Sequence, residues 1–255
     1  MKFLYKQKIS ENEGHDNLGR AYLSYFSDPI NDPFEIIKEG NLQLFKFKKH
    51  ENSIVTINWD YSTEDIDKFN QYSPKFLVNL TNKKYDNQEL KGMKFKGGYT
   101  FMRLNLKGLT KFDALELEGA TFEKMTNSVE LDTFVDIVGT VFTSDVTSSK
   151  KFYGIFDEYK DLSELFLIKY NKDIVGTGHL IHFDKNSSIV DDIAISEKAR
   201  GKGLATFLMK SLINWSIDNG KEELCLFGSD EAFNIYKKLG FKEEDFWLEQ
   251  FELIY

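Results

Sequence analysis

The sequence holds a single cysteine, Cys225, in 255 residues, so no disulfide forms within the chain and no multi-cysteine zinc site can be built. Such a residue packs in a core, and its isolation suits a reducing compartment. Long hydrophobic runs are also missing. Met1 to Ser10 carries lysines at short intervals and no apolar stretch of the roughly 7 to 15 residues a secretory signal needs. Nowhere do the roughly 20 consecutive apolar residues of a membrane helix occur. The expectation is a cytoplasmic protein with no membrane partner. Positive charge is likewise short: the net charge is −8, and residues 122–255 hold 15 Lys+Arg against 24 Asp+Glu. A half so acidic repels nucleic acid and suits cationic small molecules.

With 41% hydrophobic and 29% charged residues, the chain has the composition of an ordinary globular protein. Its length allows one large domain or two smaller ones. The second half alternates strand and helix patterns. Ser163 to Tyr170 and Asp173 to Phe183 are β-rich runs joined by Asn171-Lys172, which predicts a hairpin. Ile189 to Ile195 is a third strand. Leu204, Phe207, Leu208, Leu212 and Trp215 then recur at helical spacing, with Asn219-Gly220 as the stop. A strand at Leu224 to Phe227, a helix from about Asp230 to Leu239 and a closing strand at Phe246 to Ile254 complete an α/β pattern.

Between the third strand and the first of these helices lies Lys198-Ala199-Arg200-Gly201-Lys202-Gly203-Leu204-Ala205. Two glycines at a helix start let backbone amides approach a phosphate, where the helix dipole favours negative charge. A Walker loop is excluded, because Gly203 follows Lys202 where Ser or Thr is required and residue 196 is Ser rather than Gly. A dinucleotide fingerprint has two of its three glycines, with Thr206 in the third place. The stretch from Ile189 to Phe241 resembles the GCN5-related N-acetyltransferase (GNAT) family. The likeness rests on Asp192-Ile193-Ala194-Ile195, the Gly201 and Gly203 loop, and Ala232-Phe233-Asn234-Ile235-Tyr236-Lys237-Lys238-Leu239-Gly240-Phe241. Two departures stand out: Lys198 replaces the usual Gln or Arg, which loses a bidentate fork, and Ser229 stands where Asn is common.

The resemblance implies a GNAT fold of α/β (α+β) class, a mixed central sheet flanked by helices, over residues 121–255. It implies acetyl-CoA as co-substrate and no metal. Main-chain groups of Ile193, Ala194 and Ile195 would hold the pantetheine arm. The amides of Arg200, Gly201, Lys202, Gly203, Leu204 and Ala205 would hold the pyrophosphate, with Lys198 beside them and Ser229 near the arm. Tyr236 matches the family's usual proton donor to the leaving thiolate. Direct attack by an amine of pKa about 10.4 at neutral pH costs about 4.6 kcal/mol in deprotonation, so a base is needed. Asp191 and Asp192 are the candidates, and strand alternation predicts that Asp191 shares a face with Ile193 and Asp192 with Ala194. His179 and His182 in the preceding strand are further options for the base, although a lone strand histidine is more often structural.

The first half is less regular. Strands are expected at Asn41 to Phe47, Ser53 to Trp59, Lys75 to Leu80 and Tyr99 to Leu106, with helices at Thr63 to Gln71 and Asp86 to Lys91. A boundary in Lys107 to Phe122 gives domains 1–120 and 121–255. Gly92-Met93-Lys94-Phe95-Lys96 followed by a strand echoes Gly240-Phe241-Lys242 and its strand, which suggests a divergent second copy in tandem. No glycine loop lies between Trp59 and Thr63, so that copy is expected not to bind acetyl-CoA; an unrelated α+β cap is the other reading. The favoured function is N-acetyl transfer to a small cationic amine. A protein or peptide N-acetyltransferase and a non-catalytic acetyl-CoA sensor are the alternatives.

Overall fold

A computed structural model describes residues 34–39, 42–47, 53–57, 59–84, 91–113, 116–126, 130–142, 153, 163–182 and 185–254. These fall into two compact units. The first takes the chain up to Met102 together with Phe227–Tyr236 and Lys242–Tyr255, and the second takes Arg103–Leu226 with Lys237–Phe241.

In the first unit, strands β1 (Phe34–Glu39), β2 (Leu42–Phe47) and β3 (Ser53–Ile57) pair antiparallel in sequence. A 3-10 turn at Thr63–Asp65, capped by the Ser62 hydroxyl, leads into the short helix α1 (Ile66–Asn70) and on to β4 (Phe76–Thr81), parallel to β3. β5 starts at Met93, six residues earlier than the aromatic run at Tyr99 suggests, and ends at Asn105, its residues after Met102 grouping with the second unit. The expected strand 53–59 ends at Ile57, and the expected helix at 86–91 lies outside the described residues except for Lys91, which is in a turn. Leu44, Ile54, Ile66, Phe69 and Leu77 form the core with Trp59, whose ring meets Phe69 edge-on at 4.9 Å. Buried Asn79 accepts from Thr56 Oγ1 at 2.9 Å and from the Trp59 amide, and donates to the Trp59 carbonyl. That amide stands in for a missing main-chain partner.

Phe251 and Leu253 in the same core come from the far end of the chain. The strand that the sequence reads as closing the second half is β11 (Lys242–Leu253), and it pairs antiparallel with β4 from Phe76↔Glu252 to Thr81↔Trp247.

In the second unit the strand order is β10-β9-β8-β7-β6. The strands are β6 (Ala120–Lys124), β7 (Ser163–Tyr170), β8 (Asp173–His182), β9 (Ser187–Ile195) and β10 (Glu223–Gly228), whose last two residues group with the first unit. β7 and β8 form the expected hairpin; Asn171 and Lys172 have φ of 51° and 75°, the paired positive values of a two-residue turn that matches strand twist. β8 and β9 are antiparallel, while β9 and β10 are parallel from Ser187↔Glu223 to Ile189↔Cys225. The succession antiparallel, antiparallel, parallel is thus the same in β1–β4 and in β7–β10. Helix α2 (Leu131–Val141) buries Phe134, Val135, Ile137 and Val138, and Phe134 meets the His179 ring edge-on. Helix α3 (Leu204–Asp218) covers the opposite face, where a Cβ on Gly178 would lie 3.0 Å from Leu208 and 3.2 Å from Leu212. Helix α4 (Asp230–Lys238) follows β10 and groups with the first unit as far as Tyr236. Neither β6 nor α2 is anticipated by the sequence reading.

α3 is tied to the sheet by Glu164, which accepts from Trp215 Nε1 at 3.0 Å, from His182 Nε2 at 3.3 Å and from Lys124. With Nε2–H donating, His182 Nδ1 accepts from the Ser188 hydroxyl at 2.8 Å. Burial alone would raise the Glu164 pKa, but the hydrogen bonds from His182, Lys124 and Trp215 outweigh it and bring it down to about 2. Burial lowers the His182 pKa, so that ring is neutral at neutral pH. Because the folded-state value of Glu164 is depressed from an ordinary 4.5, its stabilisation is fully present above about pH 4.5 and disappears as pH falls toward 2. The shift corresponds to about 3 kcal/mol. Unfolding free energies of Glu164→Gln, from urea titrations between pH 5 and pH 2, should fall less than those of the parent by that amount; parallel curves would remove Glu164 from this role.

Candidate active site

Three local decisions shape the site. The first is the turn after β9. Ile195 ends the strand, a 3-10 turn follows at Glu197–Ala199, and the Arg200 side chain donates Nε–H to the Ile195 carbonyl at 3.2 Å. Gly201 and Gly203 then adopt φ of 75° and 80°, and Gly203 is the N-cap of α3 without a side chain to cap it. A Cβ at either glycine would meet no protein atom within 4 Å. The glycines are therefore required by backbone conformation, and what they leave is an open approach to the first amides of α3, which have no partner inside the helix. Lys202, exposed, holds its Nζ 4.7 Å from the Tyr170 ring centre, a cation–π contact that keeps its charge beside the loop. Lys198 and Arg200 are exposed there as well. Such a loop fits a diphosphate group such as that of acetyl-CoA.

The second decision is a bulge. The β8–β9 register runs Thr177↔Ala194 and then His179↔Asp191, so Asp192 and Ile193 face the single residue Gly178. Asp192 absorbs the extra residue at φ 51°, a left-handed conformation that Asp tolerates better than most residues. Alternation is interrupted there, and one expectation fails. Asp191 lies opposite His179, on the α2 face, and is not on the face of Ile193, whose Cδ1 is 3.4 Å from where a Gly178 Cβ would point, under α3. One added residue reverses the face of everything before it.

The third decision is how Asp192 is held. Its Oδ2 accepts from Tyr153 Oη at 2.7 Å and from His179 Nδ1 at 3.0 Å, and its carbonyl accepts from Thr177 Oγ1 at 2.9 Å. The histidine is fully buried, the Asp192 side chain 13% exposed. His179 thus turns its Nδ1–H toward Asp192. Asp191 is half-buried, and its pKa is raised well above the ordinary value, first by burial and then by the negative charge of Asp192. Sequence reasoning found both carboxylates and missed their partners. His179 reads in the sequence as a further base option or a structural residue, not as a partner of Asp192, and nothing in the sequence links Tyr153, 39 positions away, to Asp192.

Ala194 and Ile195 are buried and Ile193 partly so, on the stretch of β9 beyond its β10 pairing. Ser229 is half-buried, and its carbonyl accepts the Ala232 and Phe233 amides at the start of α4. Tyr236 is buried on that helix. No group of three or more metal-ligating side chains occurs among the described residues, and no helix among them is long and apolar enough to cross a membrane.

Residues 131–241 match the model of the acetyltransferase (GNAT) family. They form a GNAT domain. The fold agrees over more of the chain than that. A GCN5-related N-acetyltransferase from Kribbella flavida superimposes with a TM-score of 0.64 at 14% identity, covering 92% of this chain and 94% of its own. One from Sphaerobacter thermophilus gives 0.62 at 14% identity, covering 83% and 76%. A tandem GNAT protein from the clavulanic acid biosynthesis pathway gives 0.58 at 8% identity, covering 97% of both chains. No curated protein matches. In the GNAT domain, the glycine loop and the bulged β9 occupy consecutive positions on either side of Ser196.

Proposed function

We propose that the protein is an N-acetyltransferase that moves the acetyl group of acetyl-CoA to a primary amine of a small cationic molecule in the cytoplasm, with no part for nucleic acid or membrane. The observation that carries this is the loop of two left-handed glycines opening α3 directly after a bulged strand, inside a GNAT domain. Acetyl-CoA supplies an activated thioester carbonyl. Amides of Arg200 to Ala205 bind its pyrophosphate, with Lys198 and Lys202 adding charge. Main-chain groups of Ile193 to Ile195 align its pantetheine arm as an added strand would, and Ser229 borders it. Positioning of this kind lowers a barrier by about 7 to 11 kcal/mol when the geometry is good.

The acidic bulge suits an ammonium acceptor. Asp191 or Asp192 takes one proton from it, the amine nitrogen forms the new C–N bond, the C–S bond breaks, and Tyr236 returns a proton to the departing sulfur. The amide, the free thiol of CoA and one released proton balance the reaction. We assign this chemistry to residues 121–255. We read residues 1–120 as a divergent copy, because β1–β4 repeat the pairing order of β7–β10. The five-residue α1 stands where α3 stands in the other copy and has no glycine loop before it, so this copy binds no acetyl-CoA.

Acetyl-CoA should raise the melting temperature, and thiol release should follow addition of polyamines or aminoglycosides but not of peptides. Absence of any thermal shift would sink the proposal. Turnover with peptides alone would move it to protein acetylation. Tyr236→Phe should slow turnover by about 10-fold to 100-fold, with acetyl-CoA affinity unchanged. An unaltered rate would dismiss the acid.

A further inference from the structure

Two carboxylates adjacent in sequence, turned toward one histidine by a bulge, differ in everything that surrounds them. Asp192 is over-determined. Two donors, Tyr153 and His179, hold one of its oxygens, Thr177 holds its carbonyl, and its backbone sits at φ 51°. Two donors on one oxygen and a third on its carbonyl fix where the Asp192 carboxylate sits. Asp191, opposite His179, is shaped by enclosure and by the charge of Asp192. Paired acids whose surroundings push them apart take different parts in proton chemistry.

We propose that the bulge divides the acceptor's chemistry between these neighbours: Asp192, positioned by His179 and Tyr153, binds the acceptor ammonium, and Asp191 takes the proton that frees its lone pair. The inference rests on the acetyltransferase reading above and adds the assignment of roles and two positioning residues. In the step, an N–H bond of R–NH3+ breaks, its electron pair stays on nitrogen, and the proton moves to an Asp191 carboxylate oxygen. Asp192 holds the ammonium in place before transfer. Asp191 lies opposite His179, and enclosure and the neighbouring Asp192 charge raise its pKa above the ordinary value, which makes it a stronger base than an exposed carboxylate. Among the described residues, those shown against the pair include His179 on β8 and Tyr153. Phe134 is the α2 residue against His179, while Asp132 and Asp136 on that helix are exposed. Leu208 and Leu212 of α3 cover the other face.

The test uses the full-length protein, acetyl-CoA and spermidine as the probe acceptor. Asn tolerates φ 51° as well as Asp does, so Asp192→Asn removes charge without backbone strain. It should raise the spermidine KM about 10-fold or more and leave the acetyl-CoA KM unchanged. Asp191→Asn should instead lower kcat about 100-fold and abolish the acid limb of the pH profile. Tyr153→Phe and His179→Leu should raise the spermidine KM as Asp192→Asn does. His179→Asn, which puts an amide N–H near the Nδ1–H position, should recover to within about threefold of the parent, a rescue that a packing role would not give.

Equal effects of Asp191→Asn and Asp192→Asn on the same parameter, or equal damage from His179→Asn and His179→Leu, would overturn the division. If no amine is acetylated at all, the acetyltransferase reading fails on its own. The placement is then read by carbon-13 NMR of labelled aspartates. Asp191 should titrate above the ordinary carboxyl range, and Tyr153→Phe should shift the Asp192 carboxyl resonance; an Asp191 titration within the ordinary range, or an unmoved Asp192 resonance, would overturn the proposal independently of activity.

Discussion

Gly203→Val is expected to leave the fold intact and to weaken acetyl-CoA binding by about 100-fold. The residue is exposed, and a side chain there meets no protein atom within 4 Å, so packing does not oppose the change. Backbone conformation does. Gly203 sits at φ 80° as the N-cap of α3, and a β-branched residue at positive φ is a genuine outlier. Relief rotates the turn and redirects the amides of Leu204 and Ala205. A hydrogen bond to a charged group is worth about 1.5 to 3 kcal/mol, and about 1.4 kcal/mol is tenfold in affinity, so losing two yields the stated effect or more. Calorimetric titration with acetyl-CoA measures it. Gly203→Asn accepts positive φ and should bind much better than Val; equal affinities of Val and the parent would mean that the loop does not hold the diphosphate.

Gly176→Val is expected to act on stability instead. Gly176 lies opposite Ile195 in the β8–β9 ladder. Its added Cβ would come 2.5 Å from Ile195 Cδ1, 3.0 Å from the Ala194 carbonyl oxygen and 3.3 Å from Ile168 Cβ. The Ile195 tip can rotate, but it is buried, and the other two atoms are fixed in strands. Overpacking of a tight core costs about 1 to 3 kcal/mol and occasionally more. We expect the upper end, about 3 kcal/mol, with Gly176→Ala intermediate, read from urea midpoints. Because Ala194 and Ile195 lie beside the glycine loop, acetyl-CoA affinity should fall together with stability. A variant as stable as the parent would show that β8 and β9 can part at no cost.

How much of this was legible in the sequence depended on how local each signal is. The β7–β8 hairpin was readable because Asn171 and Lys172 set their own turn, and α3 because its apolar residues recur every three or four positions. The glycine loop was readable for the same reason. β6 and α2 were overlooked, although Phe134, Val135, Ile137 and Val138 do carry helical spacing. The allegiance of β11 was out of reach, since strand pairing depends on partners far away in the chain. So was the bulge at Asp192: nothing in Val190-Asp191-Asp192-Ile193 says which residue will be extra. Alternation assumed an unbroken ladder, so it placed Asp191 under the wrong helix, and with it went any view of the His179, Asp192 and Tyr153 cluster.

The pairing of β11 with β4 has a bearing on synthesis. Thr81 leaves the ribosome well over a hundred residues before Trp247, its partner in the ladder. At about 5 to 20 residues per second, the first unit waits roughly ten seconds or more for Phe251 and Leu253 to complete its core. During that interval β4 presents an unpaired edge, a surface prone to aggregation. The portion of the protein that is made first is therefore the portion that is finished last.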